Sequence, residues 1–221
     1  MKKLALLLLI ALLVPACHHG GMLNEVRGSG KRELQKREVS PFTSISTEGA
    51  FTIEVTCQKD LALEVEGDDN ILNLVTSEVR NNVLRLSNNG HYSTSEPVKF
   101  KIAVPNIEAL KVSGAGKIDI KGMNNEKFVI NSDGAPTITA SGTTKLVDIH
   151  TNGAGKIDAN SLHAARAVVN TNGVTQVEVD VKEQLDATVN GPASVTYKGD
   201  PVVNKHVNGP GKVERRASEG A

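Results

Sequence analysis

A glycine-marked unit recurs six times in the second half of the chain. Its first glycines, Gly114, Gly134, Gly153, Gly173, Gly191 and Gly209, lie 20, 19, 20, 18 and 18 residues apart. A fixed period of this length confines the chain to stacked units, each burying its apolar face only against its neighbours. After each glycine, Ile118, Ile138, Ile157, Val177, Val195 and Val213 fall in one column. Polar residues flank them, as Lys117 and Asp119 flank Ile118, and Gln176 and Glu178 flank Val177. Before each glycine, Leu110, Ile130, Ile149, Val169 and Ala187 form a second column, which Lys205 interrupts. Alternation with period two is the pattern of a half-buried strand. Lys205 is therefore expected to mark a frayed, solvent-facing last coil.

Two architectures satisfy this pattern. In a β-helix each unit is one coil, and equivalent residues stack about 4.8 Å apart on parallel strands. In an antiparallel meander each Asn-Gly is a hairpin turn. A two-residue turn at Asn152-Gly153 would set Ile149 opposite Lys156, on the wrong face. A three-residue turn sets Ile149 opposite Ile157, so register alone leaves the meander open. Like residues in like columns favour the β-helix. Stacking would also line up Asn152, Asn172, Asn190 and Asn208 as an amide ladder, each side chain bonding the next.

Residues 41–105 are β-rich without a clear repeat. Alternation marks strands over Phe51 to Cys57, Leu61 to Val65 and Val98 to Val104. The stretch from Ser77 to Arg85 reads as a hairpin with Val79 facing Leu84 and Glu78 facing Arg85. Asp68 to Val75 suits a short helix. This region is expected to cap one end of the stack, as terminal units of a solenoid must.

The chain opens with Lys2 and Lys3, then runs apolar from Leu4 to Val14. Eleven residues are too few to span a bilayer, which takes about 20, but they suit the apolar region of a secretory signal. The run ends Val14-Pro15-Ala16-Cys17, which resembles the lipobox of bacterial lipoproteins, with Pro15 unusual at its position. The resemblance implies a signal peptide over 1–16 and lipidation of Cys17. The plain alternative is an ordinary secretory signal in which Cys17 is incidental. His18 stands where aspartate would signal inner-membrane retention, which leans toward the outer membrane. Residues 17–40 carry little to bury and are expected to form a lipid-anchored flexible tether. Residues 41–216 then form the β domain, with the repeat array over 106–216, and 217–221 a disordered tail.

Several function classes are disfavoured. Formal net charge is zero, giving no electrostatic case for nucleic acid. Tryptophan is absent, which weighs against base-stacking platforms and many carbohydrate clefts. With Cys17 acylated, Cys57 has no disulfide partner. It continues the alternation of Phe51, Ile53 and Val55, so it reads as a buried, inert thiol. His18 and His19 on a mobile tether make a poor metal site. His150 and His206 share a column but lie three coils apart, about 14 Å, too far for one zinc. His163 is expected in a solvated turn and His91 in a loop. No metal or cofactor is expected.

The order of motifs resembles the head GIN domain family, described as autotransporter-adhesin head domains. The resemblance covers residues 28–214. It rests on Gly28-Ser29-Gly30, Arg37-Glu38-Val39 with Pro41-Phe42 and Ile45, and Gly49-Ala50-Phe51 leading into Ile53-Glu54-Val55. Val104-Pro105-Asn106-Ile107, Leu110 and the glycine units follow. It implies an all-β, right-handed parallel β-helix-like solenoid behind a non-repeated N-terminal β region, exported and often lipid-anchored. It implies no established activity and supplies no catalytic residues.

The leading expectation is a non-enzymatic cell-envelope lipoprotein, monomeric or in small oligomers, presenting a rigid β surface to an envelope protein or a glycan. One alternative is a structural protein that polymerises end to end through open edges. Another is a β-helix carbohydrate-active enzyme. For that last reading the best acidic pair is Asp158 and Glu178, in one outward column on adjacent coils. Their spacing of about 4.8 Å approaches the roughly 5–5.5 Å between carboxyls of a retaining glycosidase. Such chemistry needs one carboxyl kept protonated. A solvated, mixed-charge face leaves both ionised, so no catalytic residue is assigned.

Overall fold

The computed structural model describes residues 25–216. The expected signal peptide over 1–16, Cys17, the first part of the expected tether and the expected tail at 217–221 lie outside the described residues. The strands are β1 (Val26–Arg27), β2 (Arg32–Lys36), β3 (Ser44–Glu48), β4 (Thr52–Thr56), β5 (Ala62–Asp68), β6 (Val75–Arg80), β7 (Val83–Asn88), β8 (Tyr92–Ser93) and β9 (Lys99–Ala103). They continue as β10 (Ala109–Gly114), β11 (Lys117–Gly134), β12 (Thr137–Gly153), β13 (Lys156–Gly173), β14 (Gln176–Asn190), β15 (Ser194–Lys198), β16 (Val202–Asn208) and β17 (Lys212–Arg215). One short helix, α1 (Asp69–Leu72), stands among them.

From β10 onward all pairings are parallel, so the repeats stack as a β-solenoid and the meander is excluded. Each of β11 to β14 winds through a whole coil. Its first stretch pairs on one face, where Ile118 lies beside Ile138, Ile138 beside Ile157, Ile157 beside Val177 and Val177 beside Val195. Its last stretch pairs on another, where Leu110, Ile130, Ile149, Val169, Ala187 and Lys205 are successive neighbours. All but Lys205 are buried. The apolar columns thus form the interior, and the polar residues between them point outward, as the pleat requires.

Glycine is needed at the corner where the repeat glycines stack. Gly134 and Gly153 pair directly and hold φ of 157° and 132°, and a Cβ on Gly153 would sit 2.4 Å from the Gly134 carbonyl oxygen. Backbones stacked this closely leave no room for a side chain.

The N-terminal region closes one end. β3 and β4 continue the two faces, pairing with β10 and β11. Antiparallel neighbours then follow: β7 with β6 on one face, β9 with β5 and β5 with β2 on the other. The hairpin register sets Val79 beside Leu84 and Glu78 beside Arg85, as its sequence implies. Helix α1 buries Ile71 and Leu72 in the cap. The Arg37 guanidinium donates to the carbonyls of Leu72 at 2.9 Å and Val75 at 2.8 Å, satisfying chain ends beside the helix. Phe51 and Phe100 meet edge to face at 5.2 Å.

Two expectations are corrected. Within the stretch read as tether, Arg32–Lys36 is strand β2, paired to β5, and β1 pairs with β8. The backbone of Gly30 donates to the buried carboxylate of Asp68 at 3.2 Å, fixing this segment to the cap. Leu34, the single apolar residue of β2, is half exposed, so backbone pairing rather than burial holds that strand. His163 is not in a turn but within β13, beside Thr143 and Asp180.

Candidate functional site

The outward columns are where this chain can meet a partner. On the face of β11 to β15, Lys156 precedes Asp158, Gln176 precedes Glu178, and Asp158 is the direct neighbour of Glu178. The acidic pair is therefore assembled. Its environment, however, differs from the solvated face expected. The Glu178 side chain is only 13% exposed, with Lys156 Nζ and Arg216 Nη1 each 3.2 Å from its carboxylate. Asn160 Nδ2 donates to the same oxygen that Arg216 approaches. Burial pushes this carboxyl up. The hydrogen bonds from Asn160 and Lys156, with the charges of Lys156 and Arg216, outweigh it and hold Glu178 below the ordinary carboxylate range. Asp158 accepts from the Asn160 backbone at 3.2 Å. Its neighbours thus hold Glu178 ionised, which is the opposite of what the protonated acid of a glycosidase requires. In the sequence Arg216 reads as one of the charges of the final coil, not as a neighbour of this pair. Its signal is its position two residues beyond Glu214, in the same alternation.

The face built by the last stretches of β11 to β14, with β10 and β16, carries His150 and His206. His150 Nε2 lies 2.8 Å from Asp148, and successive pairing runs from His150 through Asn170 and Thr188 to His206. Three coils separate the two imidazoles, so they share no ligand. His163 Nδ1 lies 2.8 Å from Asp180. Among the described residues, no three His, Cys, Asp or Glu side chains are grouped to hold a metal.

The asparagines form the expected ladder. Asn208 donates to Asn190 at 2.8 Å, Asn190 to Asn172 at 2.8 Å, and Asn172 to Asn152 at 2.9 Å. Asn152 in turn donates to the Asp133 carboxylate at 2.9 Å, so the ladder has a direction and an anionic terminus.

An open groove of about 610 Å³ crosses the coils beside Ser44, Asn106, Glu108, Asn124, Asn125 and Lys127. Its amides serve the backbone: Asn106 Nδ2 donates to the Asn124 carbonyl at 2.6 Å and Asn125 Nδ2 to that of Ile107 at 2.7 Å. Lys127 pairs with Asp148 at 3.1 Å. Cys57 is buried, as its place in the alternation implies. Burial pushes its thiol up, against a weaker opposing contact with the Ile107 backbone, which keeps it un-ionised.

A family model described as "Putative auto-transporter adhesin, head GIN domain" matches residues 41–201. No curated protein matches the chain. The fold resembles the crystal structure of a "putative adhesin" from Bacteroides fragilis, at 23% identity and a TM-score of 0.71, over 86% of this chain and 100% of that one. It also resembles a "putative lipid binding protein" from Parabacteroides distasonis, at 20% identity and a TM-score of 0.56, over 87% of this chain and 100% of that one. A "putative adhesin" from Parabacteroides merdae is similar at 18% identity and a TM-score of 0.54, over 87% of this chain and 99% of that one.

Proposed function

The chain belongs to the head GIN domain family, and on that premise we propose that it is a non-enzymatic cell-envelope adhesion module, tethered by lipid on Cys17. One observation carries the non-enzymatic reading. In the acidic pair Asp158 and Glu178, direct neighbours on adjacent coils, Glu178 is paired with Lys156 and Arg216 and held ionised. What remains is a stiff polar surface whose charges and amides are arranged in columns, suited to a repetitive ligand such as a glycan or an envelope protein.

The pinning of β1 and β2 supports an orientation. A segment entering from Cys17 docks on the capped end through β8, β5 and Asp68. The last coil, β16 and β17, then lies farthest from the anchor. The B. fragilis, P. distasonis and P. merdae proteins are named for adhesion or lipid binding; for this chain, adhesion accords with the family.

The test uses the purified full-length chain on a glycan array and in turnover assays on acidic and neutral polysaccharides. Expected are binding without turnover, and binding within a few-fold of wild type when Asp158→Asn and Glu178→Gln are combined. Turnover that disappears in that double variant makes these two residues an active site and overturns the proposal.

A further inference from the structure

Four of the repeated units place glycine directly after a ladder asparagine: Asn152-Gly153, Asn172-Gly173, Asn190-Gly191 and Asn208-Gly209. Asparagine followed by glycine is a chemically labile pair. The glycine nitrogen, after losing its proton to solvent base, attacks the asparagine Cγ. A C–N bond forms, the bond from Cγ to the side-chain nitrogen breaks, and that nitrogen leaves as ammonia. Water then opens the resulting five-membered imide at either carbonyl, giving aspartate or isoaspartate. One water enters, one ammonia leaves, and no electrons are exchanged. Glycine hastens closure because it has no Cβ to obstruct it and adopts the needed backbone angles freely.

The ladder opposes this chemistry at three of the four sites. The amides of Asn152, Asn172 and Asn190 each donate to the coil before and accept from the coil after. Such a side chain must break two hydrogen bonds before Cγ can turn toward the backbone. Gly153 lies inside paired strand, beside Gly134 and Gly173, and Gly191 N–H donates to the Asn208 carbonyl at 2.9 Å. Asn208 differs on both counts. Among the described residues nothing donates to its Oδ1, and Gly209 N–H has no backbone acceptor. The residue is exposed on the outermost coil.

We propose that Asn208 is a site of spontaneous deamidation, and that the amide ladder reacts from this end inward. Direction follows from hydrogen-bond polarity. Every rung donates toward Asp133, the one place where a carboxylate belongs because there it only accepts. Aspartate at 208 sets an acceptor against Asn190 Oδ1, removes the last rung and frees Asn190 as the new end. Adhesion need not be assumed for any of this.

The sequence supplies its own control. Val189-Asn190-Gly191-Pro192 and Val207-Asn208-Gly209-Pro210 are the same four residues in the same order. Any difference in rate between them comes from the fold. The experiment is peptide mapping by mass spectrometry of the full-length chain held in mildly alkaline buffer, folded and in urea. Terminal coils fray at little cost and interior ones do not, so Asn208 should convert at least roughly tenfold faster than Asn190, Asn172 or Asn152 when folded. In urea Asn190 and Asn208 should convert at equal rates. Asn89-Gly90, in the loop after β7, serves as a reference outside the ladder. Equal rates at Asn190 and Asn208 in the folded chain overturn the proposal, as does a difference that persists in urea, or Asn208 intact while Asn89 converts. Asn208→Asp should hasten conversion of Asn190; an unchanged Asn190 rate overturns the inward order.

Discussion

Lys205 stands beside Ala187 at an inward position of the last coil, and its ammonium reaches the Val213 backbone carbonyl at 3.5 Å. The preceding members of this column, from Leu110 to Ala187, are buried and apolar. A second solenoid stacking on this end would have to bury the ammonium against its own core. Inward-pointing charge is a known guard of exposed sheet edges. Lys205→Val removes that guard and should bring on concentration-dependent self-association of the purified chain, read by light scattering. A variant as monodisperse as wild type would show that Lys205 is not what keeps the end free. Filaments from the wild-type chain would restore the end-to-end polymer as the better reading.

The alternation has a direct test at neighbouring residues. Ile157 is 1% exposed in the middle of the stack, and Asp158 follows it on the outward face. An isolated buried carboxylate costs several kcal/mol, part of which is relieved by taking up a proton. Ile157→Asp should therefore unfold or fray the array, whereas Asp158→Ala stays near wild type, as outward substitutions usually do. Equal melting temperatures for the two variants contradict the facing assigned here.

Glu178 makes the stability of the distal coils depend on acid. Its folded pKa lies below its unfolded one, so its ionised form contributes stability above the ordinary carboxylate range. That contribution is lost as pH falls through the lowered folded value. Asp186 acts in the same direction, held down by hydrogen bonds from Asn204 and Gln184 against a weaker effect of burial. Urea titrations from neutral to acid pH should show a shallower acid-side loss for Glu178→Gln than for wild type. Superimposable acid limbs would mean that Lys156 and Arg216 do not hold Glu178 in solution.

The anchor is tested by Cys17→Ala. Wild-type chain should enter the detergent phase on partitioning, and the variant should stay in the aqueous phase. Wild type remaining aqueous would leave an ordinary secretory signal.

The repeat array was legible in the sequence because its inward columns are apolar and its outward ones polar, down to the asparagine ladder. Legibility fails where that contrast does. Strand β2, with Leu34 as its only apolar residue, holds through backbone pairing to β5, and propensity and burial give no sign of it. The stretch around His163 is strand, but the register shifts between Ala159 and His163 and again between Ala164 and Arg166, which breaks the period of two. Some inward positions hold hydroxyls: Ser132, Thr151 and Thr171 are buried in one column, and Thr151 donates to Thr175 at 3.1 Å. Their polarity hides them, though the column is found by stepping two residues on from Ile130, Ile149 and Val169. At the candidate site the spacing of Asp158 and Glu178 was readable. The covering of Glu178 by Arg216, two coils on, depends on a long side chain reaching across the stack.

The in-register pairing of Gly134, Gly153 and Gly173 makes height a counted quantity. Each repeat meets only the ones before and after it, so a unit can leave without disturbing the cap or the final coil. Excising residues 154–173 joins Gly153 to Val174 in the same phase and should shorten the folded stack by one layer, about 4.8 Å, in small-angle scattering. A chain that unfolds instead would show that the layers are not interchangeable. If they are, the distance at which this surface is held from its anchor is a ruler with fixed graduations, and adding or losing one repeat resets it without redesigning either end.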